Sequence, residues 1–370
     1  MRAGQVRTSG TVDPALTSSG DLNWALARAG EDERVRTEVL EALRDAEGRA
    51  EDPSAFRLDV RWPLTLAMLA TAGLHRKRLA NGLVFEVGPD SRIEQAFLLA
   101  SEAEPDHVWE PQTTKLIQAL AEERHHAIVG GAYIGDHALF LAKALAGKGG
   151  QVHAFEPMEF AFRRLLRNAD LSLIDNLQAH RVALWDASGV KLRLEGPPAL
   201  ASISACPTVD RYETVPSITI DDYIASERVG SVGIVMLDTE GGEERGLAGA
   251  RDLLSHPYPE APDCIFEIHR EYVDWSEGLH NTEIVRSLND QGYLVFAIRD
   301  IHGNLPMRHY PIEVIPVDRV YLEGPPHGFN LLATKDPDLV ARLRLRTVTD
   351  VSPKLLVDRD PALHHPVGGF

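Results

Sequence analysis

Residues 127 to 156 read AIVGGAYIGDHALFLAKALAGKGGQVHAFE, and the reading of the fold starts from them. Ala127 to Val129 is an apolar strand, and Gly130, Gly131 and Gly135 form a tight turn. A helix of small apolar residues is expected from Asp136 to Leu145, and a second strand, Val152 to Phe155, stops on an acid, Glu156. This is a β-α-β unit with a ligand cradle at its switch point. Glycines let backbone N–H groups approach a polar ligand at a helix N-terminus, and an acid about 20 residues on takes two ribose hydroxyls. Glu156 stands in that place.

The spacing discriminates between ligands. A dinucleotide fingerprint needs G-x-G-x-x-G, but after Gly130 the place of the second glycine is held by Ala132, which leaves Gly131-x-x-x-Gly135. With no phosphate to cradle, a looser turn suffices. G-x-x-x-G followed by an acid at the end of the second strand is the pattern of Rossmann-like enzymes that use S-adenosylmethionine (SAM).

The chain of 370 residues has room for one large α/β domain and a smaller one. Its formal net charge of −17 argues against a nucleic-acid surface, which needs clustered Lys and Arg. Partners are therefore expected to be small molecules. The two cysteines, Cys206 and Cys264, form neither a disulfide framework nor a metal-binding spacing, which suits a reducing cytoplasm. No apolar run is long enough for a membrane span, and the N-terminus lacks the apolar core of a signal peptide.

In chain order, residues 1–20 are small and polar and are expected to be mobile. Residues 21–80 carry amphipathic helical patterns, at LNWALARAG, at VRTEVLEALRDAEGR and, after Pro63, at PLTLAMLATAGLHRKRLA. This helical region could close over a site or pair two protomers into a homodimer. NGLVFEVGPD reads as a hairpin. WEPQTTKLIQAL feeds the first core strand, so Glu110, Gln112 and Thr113 are expected near the mouth of the cradle, either touching the ligand or capping a helix. LQAHRVALWD reads as one strand, residues 196 to 217 as an irregular excursion and SITIDDYIA as a strand and helix. SVGIVMLDTEGGEE is a buried strand ending in Asp238, Glu240, Glu243 and Glu244, and APDCIFEIHREY is another ending in Glu267 and His269. Functional groups collect at carboxyl ends of strands in open parallel sheets. Residues two apart on a strand share a face, which sets Glu267 beside His269. The strands YLVFAIRD and FNLLATKD complete five β-α repeats closed by an antiparallel hairpin, and the tail from 351 to 370 reads as irregular.

Four stretches together resemble the FkbM family of SAM-dependent methyltransferases, over roughly residues 82 to 335: GGAYIGDHALFLA (130 to 142), HAFEP with Leu165 and Asn168, ALWD (183 to 186) with Gly189, and LDTEGGEERGLAGARDLL (237 to 254) continuing to IFEIH. The resemblance implies a class I, Rossmann-like methyltransferase sheet with helices on both faces, here spanning residues 81–350. It also implies SAM as donor and O-methylation of a hydroxyl on a sugar or polyketide-type metabolite of specialised metabolism, such as antibiotic biosynthesis. Carried over by position, Gly131, Ala132, Tyr133 and Gly135 resemble the SAM loop, Glu156 the ribose ligand, and Ala183 to Asp186 the adenine segment. Asp238 and the Glu240-Gly241 turn face the transferred methyl. The chain departs from the family at Val129, where an Asp is common, and at Met236, where a Lys is common. Without the first-strand acid, Asp136, Glu110 or Asp238 is expected to partner the methionine ammonium.

An alcohol is a poor nucleophile at neutral pH, and an imidazole suits the role of base. His269 is the candidate, oriented by Glu267 or Asp238, with His137 as the alternative; Glu240 and His269 would contact the acceptor. No metal ligand is assigned. In a competing version Asp238, Glu240, Glu267 and His269 gather a Mg²⁺ ion that acidifies the hydroxyl. Two other classes remain open, a NAD-dependent oxidoreductase, disfavoured by Ala132, and a non-catalytic SAM-binding protein, motivated by Val129 and Met236.

Overall fold

The computed structural model describes residues 19–70, 73–89, 91–100, 104–121, 126–195, 202–205, 214–322 and 328–370. The expected mobile N-terminus up to residue 18, Cys206 and most of the 196–217 excursion lie outside the described residues. The chain divides into two compact units, one of residues up to 75 with 87–90, the other of 76–86 with 91–370.

The first unit is helical, with helices at Ser19–Gly30, Glu33–Glu47, Pro53–Phe56 and Trp62–Leu69. Asp32 starts the second by accepting N–H bonds from Arg34 and Val35, satisfying two donors that a helix start leaves without partners. Gly30 allows backbone contact, since a Cβ there would lie 1.8 Å from the Met68 carbonyl oxygen. Just before Pro63 the helical run widens into a π turn, Arg57–Arg61. Proline offers no N–H to the preceding turn, so the ladder must re-register there. The helix expected to run from Pro63 to Ala80 stops at Leu69 instead. The charged HRKR segment is a strand, His75–Arg78, hairpinned to Val84–Val87 around Asn81-Gly82, with Gly82 at φ +87°.

The second unit is built on a nine-stranded sheet. Its strands are β1 (His126–Gly130), β2 (Gln151–Phe155), β3 (Leu177–His180), β4 (Val232–Leu237), β5 (Asp263–Ile268), β6 (Leu294–Ile298), β7 (Glu313–Pro316), β8 (Phe329–Thr334) and β9 (Arg346–Thr347). They lie in the order β9-β7-β6-β8-β5-β4-β1-β2-β3. The run β3-β2-β1-β4-β5 is parallel, and β8 enters antiparallel between β5 and β6. That reversed strand in an otherwise doubly wound sheet is the class I methyltransferase arrangement. The switch point falls between β1 and β4, where ligands bind in open α/β sheets. All six residues of β4 and of β8 are buried, as expected for continuous apolar runs covered on both faces.

Three elements differ from the sequence reading. LQAHRVALWD is two strands, because Ala183–Leu184 leaves the main sheet for a four-stranded one with Lys191–Glu195, Ser202–Ala205 and Thr214–Ile218. The sheet also extends past the expected closing hairpin through β7 and β9. Finally, the tail is irregular but pinned by bridges from Asp300 to Lys354 and from Val320 to Val351. Fully buried Arg299 donates to the Ser352 and Leu363 carbonyls and pairs with Glu313, which satisfies a guanidinium that could not otherwise be buried. Among the described residues no helix is long and apolar enough to cross a membrane.

Candidate active site

The turn after β1 is shaped by positive backbone angles at Gly131 (φ +71°), Tyr133 (φ +41°) and Gly135 (φ +95°). At Gly131 a Cβ would lie 1.6 Å from the Asp238 carbonyl oxygen, so no side chain fits where β1 and β4 part. The turn's amides, however, face inward. The N–H groups of Gly131 and Ala132 donate to the Phe155 carbonyl at 2.9 and 3.1 Å, and that of Gly135 to the Ala132 carbonyl at 2.8 Å. Tyr133 N–H donates to Glu156 Oε2 at 2.8 Å. The donors of this turn are thus bonded within the protein, those of Gly131, Ala132 and Tyr133 to the end of β2 and that of Gly135 within the turn itself. The cradle helix also starts two residues later than expected, at Ala138, with His137 at its N-cap.

Glu156 is nearly buried, and its other oxygen accepts from Met158 N–H at 2.8 Å. Burial pushes its carboxyl up to about 7, against the two N–H bonds that favour the charged form. Each oxygen retains a lone pair for a further donor. Behind the turn, Tyr133 hydroxyl donates to Glu94, which pairs with Arg164 at 3.0 Å, while Asn168 donates to the Ile134 carbonyl. The segment Ala183 to Asp186 is brought alongside, because the Leu184 side chain would lie 2.9 Å from a Cβ on Gly130. Ala183 is buried, and the Asp186 carboxylate pairs with Arg245.

On the other side of the turn is a buried bridge that sequence reading did not anticipate. Glu110, at φ +44°, accepts from His137 Nε2 at 3.0 Å with one oxygen and from His302 Nε2 at 3.1 Å with the other. Burial alone would raise its pKa, but the two imidazoles outweigh it and hold the carboxyl well below the usual range. His137 shows the converse. Burial acts to lower its pKa, yet the Glu110 bond and the charges of Asp136 and Asp238 raise it to about 9, which leaves it protonated and unsuited as a base at neutral pH. Its Nδ1 is buried without a hydrogen-bond partner. Asp136 is pushed up to about 6 by burial, against His137.

Thr113 is fully buried. Its N–H and that of Gln112 donate to Asp300, and Asn330 donates to its hydroxyl at 3.3 Å. Of the two roles open to it, Thr113 belongs to the helix start, capped by Asp300 from after β6. Asp300 is pushed up to about 7 by burial and by Glu110, against its N–H donors.

At the ends of β4 and β5, Asp238, Glu240 and Glu267 come together, with one oxygen of each within 4.8 Å of the others. Burial, with the charges of neighbouring carboxylates, raises the pKa of Asp238 and Glu267 well above the ordinary range, and burial with Glu243 and Glu271 raises that of Glu240 to about 7. Glu243 shapes their turn by accepting from Thr239 and Gly241 N–H, which holds Glu240 at φ +51°. His269 lies one residue beyond β5. Its Nδ1 accepts from Glu271 N–H at 3.0 Å, so in the neutral ring the proton sits on Nε2. Neither Glu267 nor Asp238 orients it, contrary to expectation, because the chain turns at Ile268 and the strand alternation no longer applies. Lys354, from the tail, is 6% exposed and donates to His302 Nδ1 at 3.4 Å. The sequence reading singled out neither His302 nor Lys354.

Residues 130–295 match the family described as methyltransferase FkbM domain. A search of curated proteins finds no match. Among solved structures, the chain is similar to a methyltransferase FkbM from Methylobacillus flagellatus, with 16% identity, a TM-score of 0.33 and coverage of 58% of this chain and 44% of that one. The chain thus spans less than half of that protein's length. It is also similar to the O-methyltransferase TomG from Streptomyces achromogenes, solved with SAM, with 11% identity, a TM-score of 0.35 and coverage of 63% and 84%. A third is the O-methyltransferase from Bacillus cereus, with 14% identity, a TM-score of 0.35 and coverage of 62% and 84%. The strand order, rather than these overlaps, sets the fold. Residues 130–295 thus match the model of the FkbM methyltransferase domain, the family that the chain's motifs resemble.

Proposed function

We propose that the chain is a SAM-dependent O-methyltransferase acting on a hydroxyl of a small molecule, of the sugar or polyketide kind made in specialised metabolism. The observation that carries this reading is the pairing of Glu156 with a glycine turn whose amides are already bonded inward. Such a turn has no donors at Gly131, Ala132, Tyr133 or Gly135 left for a pyrophosphate, which disfavours a dinucleotide, while Glu156 keeps acceptor capacity for ribose hydroxyls. The orphaned Nδ1 of protonated His137 fits the carboxylate of an amino-acid moiety. Glu156 would hold the ribose, Ala183 to Asp186 the adenine, and Asp136 and Asp238 the ammonium. When bound, SAM supplies a methyl group carried on a sulfonium.

The residues of the chain then position the acceptor, a contribution that can be large by itself. Glu240 and Glu267 border the acceptor side. His269, with its proton on Nε2, would donate a hydrogen bond to the acceptor rather than serve as its base, since the ring nitrogen that could take a proton already faces Glu271 N–H. Titration calorimetry should show heat on adding SAM and none on adding NAD, and the reverse would return the chain to the oxidoreductases. SAM binding without turnover on any hydroxylated acceptor would favour the non-catalytic reading.

The three clustered carboxylates also allow a chelation test. Burial and nearby carboxylates raise the pKa of all three, a cost that a shared proton or a divalent cation would each relieve. Activity should survive exhaustive dialysis against chelator. Loss of activity with recovery on adding Mg²⁺ would restore the metal version of the mechanism.

A further inference from the structure

We propose that Lys354, carried on the C-terminal segment, accepts the proton of the acceptor hydroxyl during methyl transfer, an inference that rests on the methyltransferase reading above. Its backbone is fixed on both sides. Lys354 N–H donates to Ser352 Oγ, the Lys354 carbonyl accepts from His364 Nδ1 at 3.0 Å, and the flanking peptides bond to both sides of Asp300. The side chain is thereby directed inward, where a lysine is almost never found unless it is paired or functional.

The groups facing Lys354 come from four elements. His302 follows β6, and its Nδ1 accepts from Nζ; Glu110 precedes the helix Pro111–Ala121; Glu267 lies in β5 with His269 just beyond it; and Arg92 opens the helix Arg92–Leu99. Among the described residues, no carboxylate lies within ion-pair distance of Nζ. Burial, helped by Arg92, therefore pushes the amine down to about 8, against the attraction of Glu267 and Glu110. A desolvated amine near neutrality is suited to general-base work. The other candidates are occupied, since His137 is held protonated by Glu110 and the free nitrogen of His269 faces a backbone N–H.

The step balances. The hydroxyl O–H bond breaks and its proton joins the lone pair of Nζ to give an ammonium. The oxygen keeps the electron pair and bonds the methyl carbon, and the carbon–sulfur bond breaks with its pair left on sulfur.

The test uses full-length protein with Lys354→Met and Lys354→Arg, and methyl glycosides as acceptor probes. Both variants should bind SAM within about threefold of the wild type and lose about 10²- to 10⁴-fold in turnover. The rising limb of the pH profile, with its midpoint near pH 8 in the wild type, should be lost in both variants. A lysine that only supplied positive charge would be rescued by Arg, and such rescue would overturn the proposal. A readout independent of turnover is the reactivity of Lys354 toward acetic anhydride in cofactor-free protein, followed by peptide mass spectrometry across pH. A midpoint near pH 8 supports the assignment; one at the ordinary lysine value of about 10.4 overturns it. Absence of SAM binding by the wild type would instead overturn the underlying reading, and this inference with it.

Discussion

Replacing Glu156 by Ala should weaken SAM binding tenfold or more. A hydrogen bond to a charged group contributes about 1.5 to 3 kcal/mol, and each 1.4 kcal/mol is a factor of ten in affinity. Two losses coincide at this position. The ribose hydroxyls lose their acceptor, and the buried N–H groups of Tyr133 and Met158, both 2.8 Å from the carboxylate, lose theirs. The second loss reaches the turn directly, because Tyr133 sits at a positive φ that only its surroundings hold in place. Glu156→Gln separates the two effects. It keeps one acceptor oxygen and the shape but offers an N–H₂ where an acceptor is needed, so its affinity should fall between those of wild type and Ala. Calorimetric dissociation constants for the three proteins check this, and equal values would sink the assignment of Glu156 to the ribose.

The parts of this site that were legible in the sequence are those written in local patterns. The β-α-β unit, Glu156 at its second strand end, and Asp238 and Glu267 at theirs could all be placed from periodicity and from the rule that groups collect at carboxyl ends of strands. What could not be read depends on partners far apart in the chain. Asp300 caps a helix that starts nearly two hundred residues earlier, with bonds at sequence separations of 187 and 188. Lys354 reaches the site because two isolated bridges and one buried arginine hold an irregular tail in place, and such contacts leave no periodic trace. His269 was misjudged for a smaller reason, one residue of strand. Its neighbour Ile268 ends β5, and beyond it the alternation that would have set His269 beside Glu267 no longer operates.

The two departures from the family pattern prove to be a single one. Val129 and Met236 are paired neighbours on β1 and β4, and both are buried. Where the family commonly carries an acid and a lysine, this chain carries an apolar pair. Replacing a buried ion pair by well-packed apolar residues is often neutral or stabilising, whereas removing one partner alone is costly. The joint change therefore leaves no stranded charge beneath the cradle. Under the proposed function, meeting the ammonium of the ligand falls to Asp136 and Asp238 instead.

Glu110→Ala should destabilise the protein by about 3–5 kcal/mol at pH 6, the usual cost of removing one partner from a buried ion pair. The carboxylate accepts from His137 and His302 together, and His137 is 5% exposed with its other nitrogen already without a partner. The loss should depend on pH in a definite direction. Burial acts to lower the pKa of His137, and Glu110 leads the groups that raise it to about 9, above the unfolded value of about 6.5. A raised histidine contributes stability that is fully present below the unfolded value and is lost as pH rises through the folded one. The depressed pKa of Glu110 contributes stability above the ordinary carboxylate range, lost only in strong acid. The difference between wild type and Glu110→Ala should therefore be largest near pH 5 to 6.5 and shrink as pH passes about 9. Denaturant unfolding of both proteins at pH 6 and pH 9.5 measures it. A gap of equal size at the two values would mean that Glu110 acts through packing and hydrogen bonding alone, with no charge on His137. A gap that closes would leave His137 as a fixed cation at the start of the cradle helix, available to an anionic group of the ligand and not to the acceptor's proton.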